Sequence, residues 1–202
     1  MPDYSLGIDI GGTLTDIVIH DHDTGRQWSK KVLTTHDDPA RAVGAGVGAL
    51  LASASVDPGR IARVVHATTL FTNALIERKG ARTGLITTQG FRDVLELGRE
   101  IRYAPYDVFA EFPEPLVPRQ RRLEVNERLR ADGRVLKPLD EAKARETVRA
   151  LRAMGVESIA VCLLNSFENP THELALKRLI AEEFPEASLS ISYEVLPQIR
   201  EY

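Results

Sequence analysis

Asp9-Ile10-Gly11-Gly12-Thr13-Leu14-Thr15-Asp16 is the stretch that decides how this chain is read. Residues 6–10 before it are a short apolar run, and residues 14–21 after it are again β-prone. Two such runs joined by Gly-Gly read as a hairpin. A turn without side chains lets successive backbone N–H groups approach an anion. Thr13 and Thr15 add hydroxyl donors, and Asp9 sits at the strand end. A carboxylate beside a phosphate repels it, so an anion here implies a cation such as Mg²⁺ held by Asp9, directly or through water. A plain hairpin with a solvated aspartate fits the same letters. The dinucleotide fingerprint does not, because its Gly-x-Gly-x-x-Gly runs into a helix and these glycines run into a second strand.

Working outward, Asp23-Thr24-Gly25 is a second turn signal, and residues 27–33 alternate as a third strand. The chain therefore opens with three antiparallel strands. Asp38-Pro39 starts a helix, with aspartate at the cap and proline at the first position. Val43, Val47, Leu50 and Leu51 continue it at helical spacing. Val43-Gly44-Ala45-Gly46-Val47-Gly48 is thus read as helix with small residues for close packing, not as a nucleotide loop. Residues 63–66 read as a strand, with Thr68 or Thr69 capping a helix to Lys79 that Gly80 ends. Residues 83–88 are a strand and 91–98 a short helix. Residues 122–129 and 134–136 read as a hairpin around Ala131-Asp132-Gly133. Asp140 caps a helix to Met154, residues 158–164 are an apolar strand, and a helix from Asn169-Pro170-Thr171 to Phe184 precedes a last strand at 187–191. Three antiparallel strands followed by alternating strands and helices predict an α/β fold with parallel pairs. Tyr103, Pro105, Tyr106, Phe109, Phe112, Pro113, Pro115 and Pro118 mark a surface loop, which covers a pocket, meets a partner, or packs on its own surface.

Lys and Arg number 26 against 29 Asp and Glu, a net charge of −3. Arg119, Arg121 and Arg122 are followed at once by Glu124 and Glu127. Neither nucleic acid nor an anionic membrane is an expected partner. The apolar run 159–164 is far too short to span a bilayer. One cysteine, Cys162, lies in an apolar strand and reads as a core residue. A single cysteine without a signal-like start suits the cytoplasm. His20, His22 and Asp23 read as a solvated turn, because their spacing matches no zinc site. His172, just after a helix cap, is expected to be exposed.

The second candidate for chemistry is Val65-His66-Ala67-Thr68-Thr69, with Asn73 one turn further on. A strand ending in histidine and opening into a helix with two threonines places polar groups where anions are attracted. His66 can protonate a leaving group or polarise a carbonyl. A helix cap beside a buried histidine is the simpler reading of the same residues.

Asp-x-Gly-Gly-Thr followed by a strand resembles the phosphate hairpin of actin-like ATPases, whose fold is ribonuclease H-like. A longer resemblance joins it. His66 through Ala81, then Gly84-Leu85-Ile86-Thr87-Thr88, Gly90-Phe91-Arg92-Asp93, Pro115-Leu116-Val117-Pro118-Arg119, Glu124-Val125, Glu127-Arg128 and Asp132-Gly133 resemble the hydantoinase A / 5-oxoprolinase family. So do residues 163–170, Glu194-Val195 and residues 199–202. The resemblance spans essentially the whole chain and identifies residues 1–202 as the family's amino-terminal domain, with 99–137 as a proline-rich loop and hairpin insertion.

That resemblance implies ATP-dependent opening of cyclic amides of the 5-oxoproline or hydantoin type, with Mg²⁺. ATP-dependent ketone carboxylation, or a non-catalytic ATP-binding regulator, stands as the alternative. The shared logic is phosphorylation of a poorly reactive oxygen. By resemblance Asp9 binds the metal and takes part in catalysis, and Gly11, Gly12, Thr13 and Thr15 hold phosphates. His66, Thr68 and Thr69 lie near the reacting group, with Asn73 on the substrate side. Ala67 and Asn165 depart from the family's usual glycine and histidine. An actin-like ATPase closes two related halves on its nucleotide, and no second Asp-x-Gly-Gly-Thr occurs here. The expectation is therefore a fragment of a longer enzyme, completed by a second (B-type) subunit or fused half, that binds ATP weakly alone and turns nothing over.

Overall fold

The Gly-Gly turn joins β1 (Tyr4–Ile10) to β2 (Leu14–Asp21) as an antiparallel pair, and β3 (Gln27–Leu33) continues the meander. The computed structural model describes residues 3–99, 106–109 and 111–199. It divides into two compact units, residues 1–80 and 81–202.

In the first unit α1 (Pro39–Ala54) leads to β4 (Ile61–Thr68), which pairs in parallel with β1, and then to α2 (Leu70–Ile76). The sheet order is β3-β2-β1-β4. Asp38 caps α1 through Ala40 N, 3.1 Å away, with Pro39 at the first helical position. Alternation along β2 buries Thr15, Ile17, Ile19 and Asp21 on one face. There Ile17 and Ile19 pack with Leu6, Leu50 and Val56, each side chain contributing roughly 1.5–3 kcal/mol by leaving water. The glycine-rich stretch is helical as expected. Its packing reason rests on Gly46 alone, where a β-carbon would run into Ile17 Cδ1. Gly44 and Gly48 face open space. Helix α2 is shorter than the expected 68–79: Glu77 caps it, and Arg78 turns left-handed (φ 53°) before Gly80 is reached.

The second unit holds β5 (Thr83–Thr88), α3 (Val94–Leu97), β6 (Arg122–Val125), β7 (Arg128–Leu129), β8 (Val135–Lys137), α4 (Glu141–Ala153), β9 (Ser158–Cys162), α5 (Thr171–Glu183), β10 (Ser188–Ile191) and α6 (Ser192–Val195). Its main sheet, β10-β9-β5-β6, is parallel throughout. Ile86, Ile159 and Val161 on one face pack with Val148 and Leu151 of α4 and Leu176, Leu179 and Ile180 of α5. Asp140 caps α4 through Lys143 N at 3.0 Å. Arg145 and Arg149 of α4 both reach Glu183 of α5, at 2.7 Å.

The α/β architecture matches the expectation, with one correction in strand pairing. Residues 122–125 do not belong to a hairpin with 134–136. They run parallel to β5 in the main sheet, and only β7 pairs with β8. The cause is burial: Val125 is fully enclosed, and Arg122, 1% exposed, donates to Val117 O at 2.7 Å and pairs with Glu96. Of the proline and aromatic loop, Tyr103 and Pro105 lie outside the described residues, as do residues 200–202. Among the described residues no helix is long and apolar enough to cross a membrane.

Candidate functional site

The turn between β1 and β2 is tight. Gly11 N donates to Leu14 O at 3.0 Å, and a β-carbon on Gly11 would stand 2.8 Å from that same carbonyl oxygen. Gly12 is crowded from another side: its β-carbon would lie 2.7 Å from Asn73 Nδ2. The Gly12 and Thr13 amides donate to no described group. Two successive unpaired N–H groups at a glycine turn form the kind of concavity that receives an anion. Thr13 is exposed beside them.

Thr34, just beyond β3, braces this turn. Its hydroxyl donates to Gly11 O at 2.9 Å, and its amide donates to Thr13 O at 2.9 Å. Thr34 Oγ1 also lies 2.9 Å from Thr15 Oγ1. A hydroxyl has one proton, and that of Thr34 goes to Gly11 O, so Thr15 is the donor in the second bond. This corrects the expected role of Thr15. It is fully buried, and its hydroxyl supports the turn from inside instead of facing a ligand.

Strand register separates the remaining candidates. Asp9 pairs with Asp16 on β2 and Ala67 on β4, so these three share one sheet face. Lys31 Nζ lies 3.1 Å from Asp16 and neutralises it, leaving Asp9 exposed with no such partner among the described residues. His66 is in register with Ile8, and Thr68 with Ile10, so both belong to the opposite face. The structure therefore brings together Asp9, Gly11, Gly12, Thr13 and Asn73 near one strand end but sets His66 across the sheet from Asp9. The Thr68 hydroxyl donates to Ile10 O and accepts from Leu70 N, both at 3.1 Å, and Thr69 N also donates to Ile10 O at 3.1 Å. These bonds tie the start of α2 to the end of β1. Thr69 occupies the cap position of α2 without a side-chain cap bond.

In the second unit Thr88, Glu127, His172 and Glu173 are buried and hydrogen-bonded. His172 is 5% exposed, not solvated as expected, because it falls in the first turn of α5 facing inward. Its Nδ1 lies 2.7 Å from Glu127 Oε2, and Thr88 donates to the other oxygen of that carboxylate while accepting from Leu164 N at 2.9 Å. Glu173, fully buried, accepts from Leu163 N (2.9 Å), the Ser192 hydroxyl (2.7 Å) and Tyr193 N (2.9 Å). Its acceptors are thus filled by the residues they position. Among the described residues no group of three or more His, Cys, Asp or Glu is placed to hold a metal ion. A cation at Asp9 would take its remaining ligands from phosphate and water.

The family model for the hydantoinase/oxoprolinase N-terminal region matches residues 5–184. The chain belongs to this family. Among hydantoinase/oxoprolinase relatives, the caprolactamase alpha subunit of Pseudomonas jessenii is 34% identical over 98% of the chain. The acetophenone carboxylase gamma subunit of Aromatoleum aromaticum is 36% identical over 98%. The crystal structure of the ATP-dependent caprolactamase superposes with a TM-score of 0.84 at 32% identity, covering 98% of this chain and 30% of that one. Nucleotide-free acetone carboxylase, a structure described for ATP-dependent acetone carboxylation, superposes with a TM-score of 0.88 at 29% identity, covering 100% and 31%. The chain spans 29% of the length of both curated relatives.

Proposed function

We propose that the Gly11-Gly12 turn binds the phosphates of ATP, and that the enzyme to which this chain contributes opens cyclic amides of the 5-oxoproline or hydantoin type. One observation carries the reading. Among the described residues, the Gly12 and Thr13 amides are unpaired, and they stand at the end of a strand whose last carboxylate, Asp9, has no ionic partner there.

On this reading the Gly12 and Thr13 amides and the Thr13 hydroxyl donate to phosphate oxygens. Asp9 carries Mg²⁺, which offsets the charge repulsion between carboxylate and phosphate. Gly11 has no room for a β-carbon against Leu14 O, and one on Gly12 would require Asn73 to move. Asn73 places an amide head beside the same turn, and the Thr69 hydroxyl stands at the start of its helix. Bound there, ATP supplies the phosphoryl group that turns a carbonyl oxygen into a leaving group. Thr15, Thr34 and Thr68 act through the backbone they hold. His66 and Thr68 stand on the far face and are assigned no phosphate contact.

The likeness to a caprolactamase alpha subunit supports the amide reading, and the same likeness supports a second subunit or a further part of the chain as partner. The high superposition on acetone carboxylase and the identity with an acetophenone carboxylase subunit favour a second reading, ATP-dependent carboxylation of a ketone. The single cysteine suits a cytoplasmic setting.

The deciding experiment measures ADP release by the full-length protein with its partner, offered 5-oxoproline, hydantoins, lactams, or ketones with bicarbonate. Release stimulated by a cyclic amide, with ring-opened product, supports the first reading. Release only with a ketone and bicarbonate replaces it with the second. Release with none of them sinks both and leaves an ATP-binding regulator.

A further inference from the structure

Strands β5 and β9 each present two faces in alternation. Ile86 and Thr88 turn to one side: Ile86 packs in the core with residues of α4 and α5, and Thr88 is spent on Glu127. Leu85 and Thr87 turn to the other side, onto a cavity of about 370 Å³. Leu85, Phe91, Val94, Leu97 and Leu164 give it an apolar wall. Arg99 is the only charged residue among the described lining residues.

Thr87 is the exception in that wall. Its side chain is buried, the residue being only 7% exposed, and no described group bonds its hydroxyl. Its hydroxyl oxygen is not sealed off from the cavity, so it can donate to a guest there. The volume falls in the ordinary range for small-molecule sites, about 300–1,000 Å³. An apolar cavity of about 150 Å³ already accepts a benzene ring, so this one has room for a ring with substituents. Among the described lining residues Arg99 alone offers a counter-charge to a buried ion, and it repels cations.

We infer that this cavity binds a small, neutral, largely apolar ring compound whose carbonyl oxygen accepts a hydrogen bond from Thr87. The inference stands apart from the nucleotide reading. The cavity lies within residues 81–202 and the glycine turn within 1–80, so either can fail without the other.

The test is a methyl NMR titration of the chain with cyclohexanone, using cyclohexylammonium as the charged counterpart. Cyclohexanone is expected to shift the methyl signals of Leu85, Val94, Leu97 and Leu164 saturably, and cyclohexylammonium to leave them in place. Thr87→Val keeps the shape and removes the hydroxyl, and binding should weaken about five- to tenfold, the loss of one hydrogen bond. Leu97 is 56% exposed at the rim, so Leu97→Trp tolerates the added bulk and should abolish the shifts at Leu85 and Leu164. Unmoved methyl signals with cyclohexanone, equal shifts with cyclohexylammonium, or wild-type binding by either variant would overturn the inference.

Discussion

Asn73 stands against Gly12 so closely that a β-carbon on the glycine would lie 2.7 Å from Asn73 Nδ2. The neighbour is the end of a side chain, which can move, whereas the corresponding obstacle at Gly11 is a backbone oxygen at 2.8 Å, which cannot move without reshaping the turn. Gly11→Ala should therefore destabilise the chain by about 1–3 kcal/mol and Gly12→Ala by less. Adding Asn73→Ala to Gly12→Ala should recover part of the smaller loss. Chemical denaturation of the four variants closes this double-mutant cycle, and strict additivity would remove the contact.

Thr34→Val leaves the Thr15 hydroxyl and the Gly11 carbonyl without their buried partner. The expected cost is about 1–3 kcal/mol, read from urea unfolding. Thr35→Val is not an equal control, since Thr35 bonds Asp38 O. Thr69→Val is a better one, because its exposed hydroxyl makes no bond to a described group. A Thr34 variant as stable as the parent would show that the brace is dispensable.

Asp9→Asn should abolish Mg·ATP turnover in the complete enzyme while leaving its melting temperature nearly unchanged, because the side chain is exposed. ADP release and a thermal melt check this together. An active variant would take Asp9 out of the mechanism.

Glu183 carries a pH dependence of known sign. Hydrogen bonds from Arg149 and then Arg145 hold its carboxyl down at about 2, from an ordinary 4.5. A group whose acidity is strengthened by folding stabilises the fold fully above its unfolded value, and that stabilisation drains away as pH falls toward about 2. Parent and Glu183→Gln should thus differ in stability at pH 6 and converge near pH 2. A constant difference across that window would assign the effect to packing.

Glu173→Gln places an amide nitrogen where three donors converge. A loss of about 1.5–3 kcal/mol is expected, as for hydrogen bonds to a charged group. Glu168→Gln, an exposed neighbour in sequence, should be silent. Equal stabilities in urea would mean the network relaxes around the amide.

How much of this was legible depended on whether the signal was local. The hairpin, α1 and α4 follow from Gly11-Gly12, Asp38-Pro39 and Asp140, where one residue's conformation or cap decides its neighbours. Arg122 looked like a hairpin residue because nothing nearby records that β5 takes it as a parallel neighbour. His172 looked solvated because its partner, Glu127, is 45 positions away. Thr34 was passed over for the same reason, since its bond to Gly11 spans 23 positions. The separation of Asp9 from His66 is a matter of register, and a one-residue slip exchanges every side chain between faces. The motifs around them name both residues but cannot say which side of the sheet each occupies.

The bonds from Thr34 to Gly11 and Thr13 have a thermodynamic consequence for whatever the turn receives. A flexible glycine loop must lose backbone freedom when it closes on a ligand, and that loss is subtracted from affinity. Here much of that loss is met during folding, by hydrogen bonds already made without a ligand. On the proposed reading, the Gly12 and Thr13 amides, unpaired among the described residues, would meet an incoming anion as a rigid template, so that the encounter reads the anion's shape and charge without first having to organise the receptor.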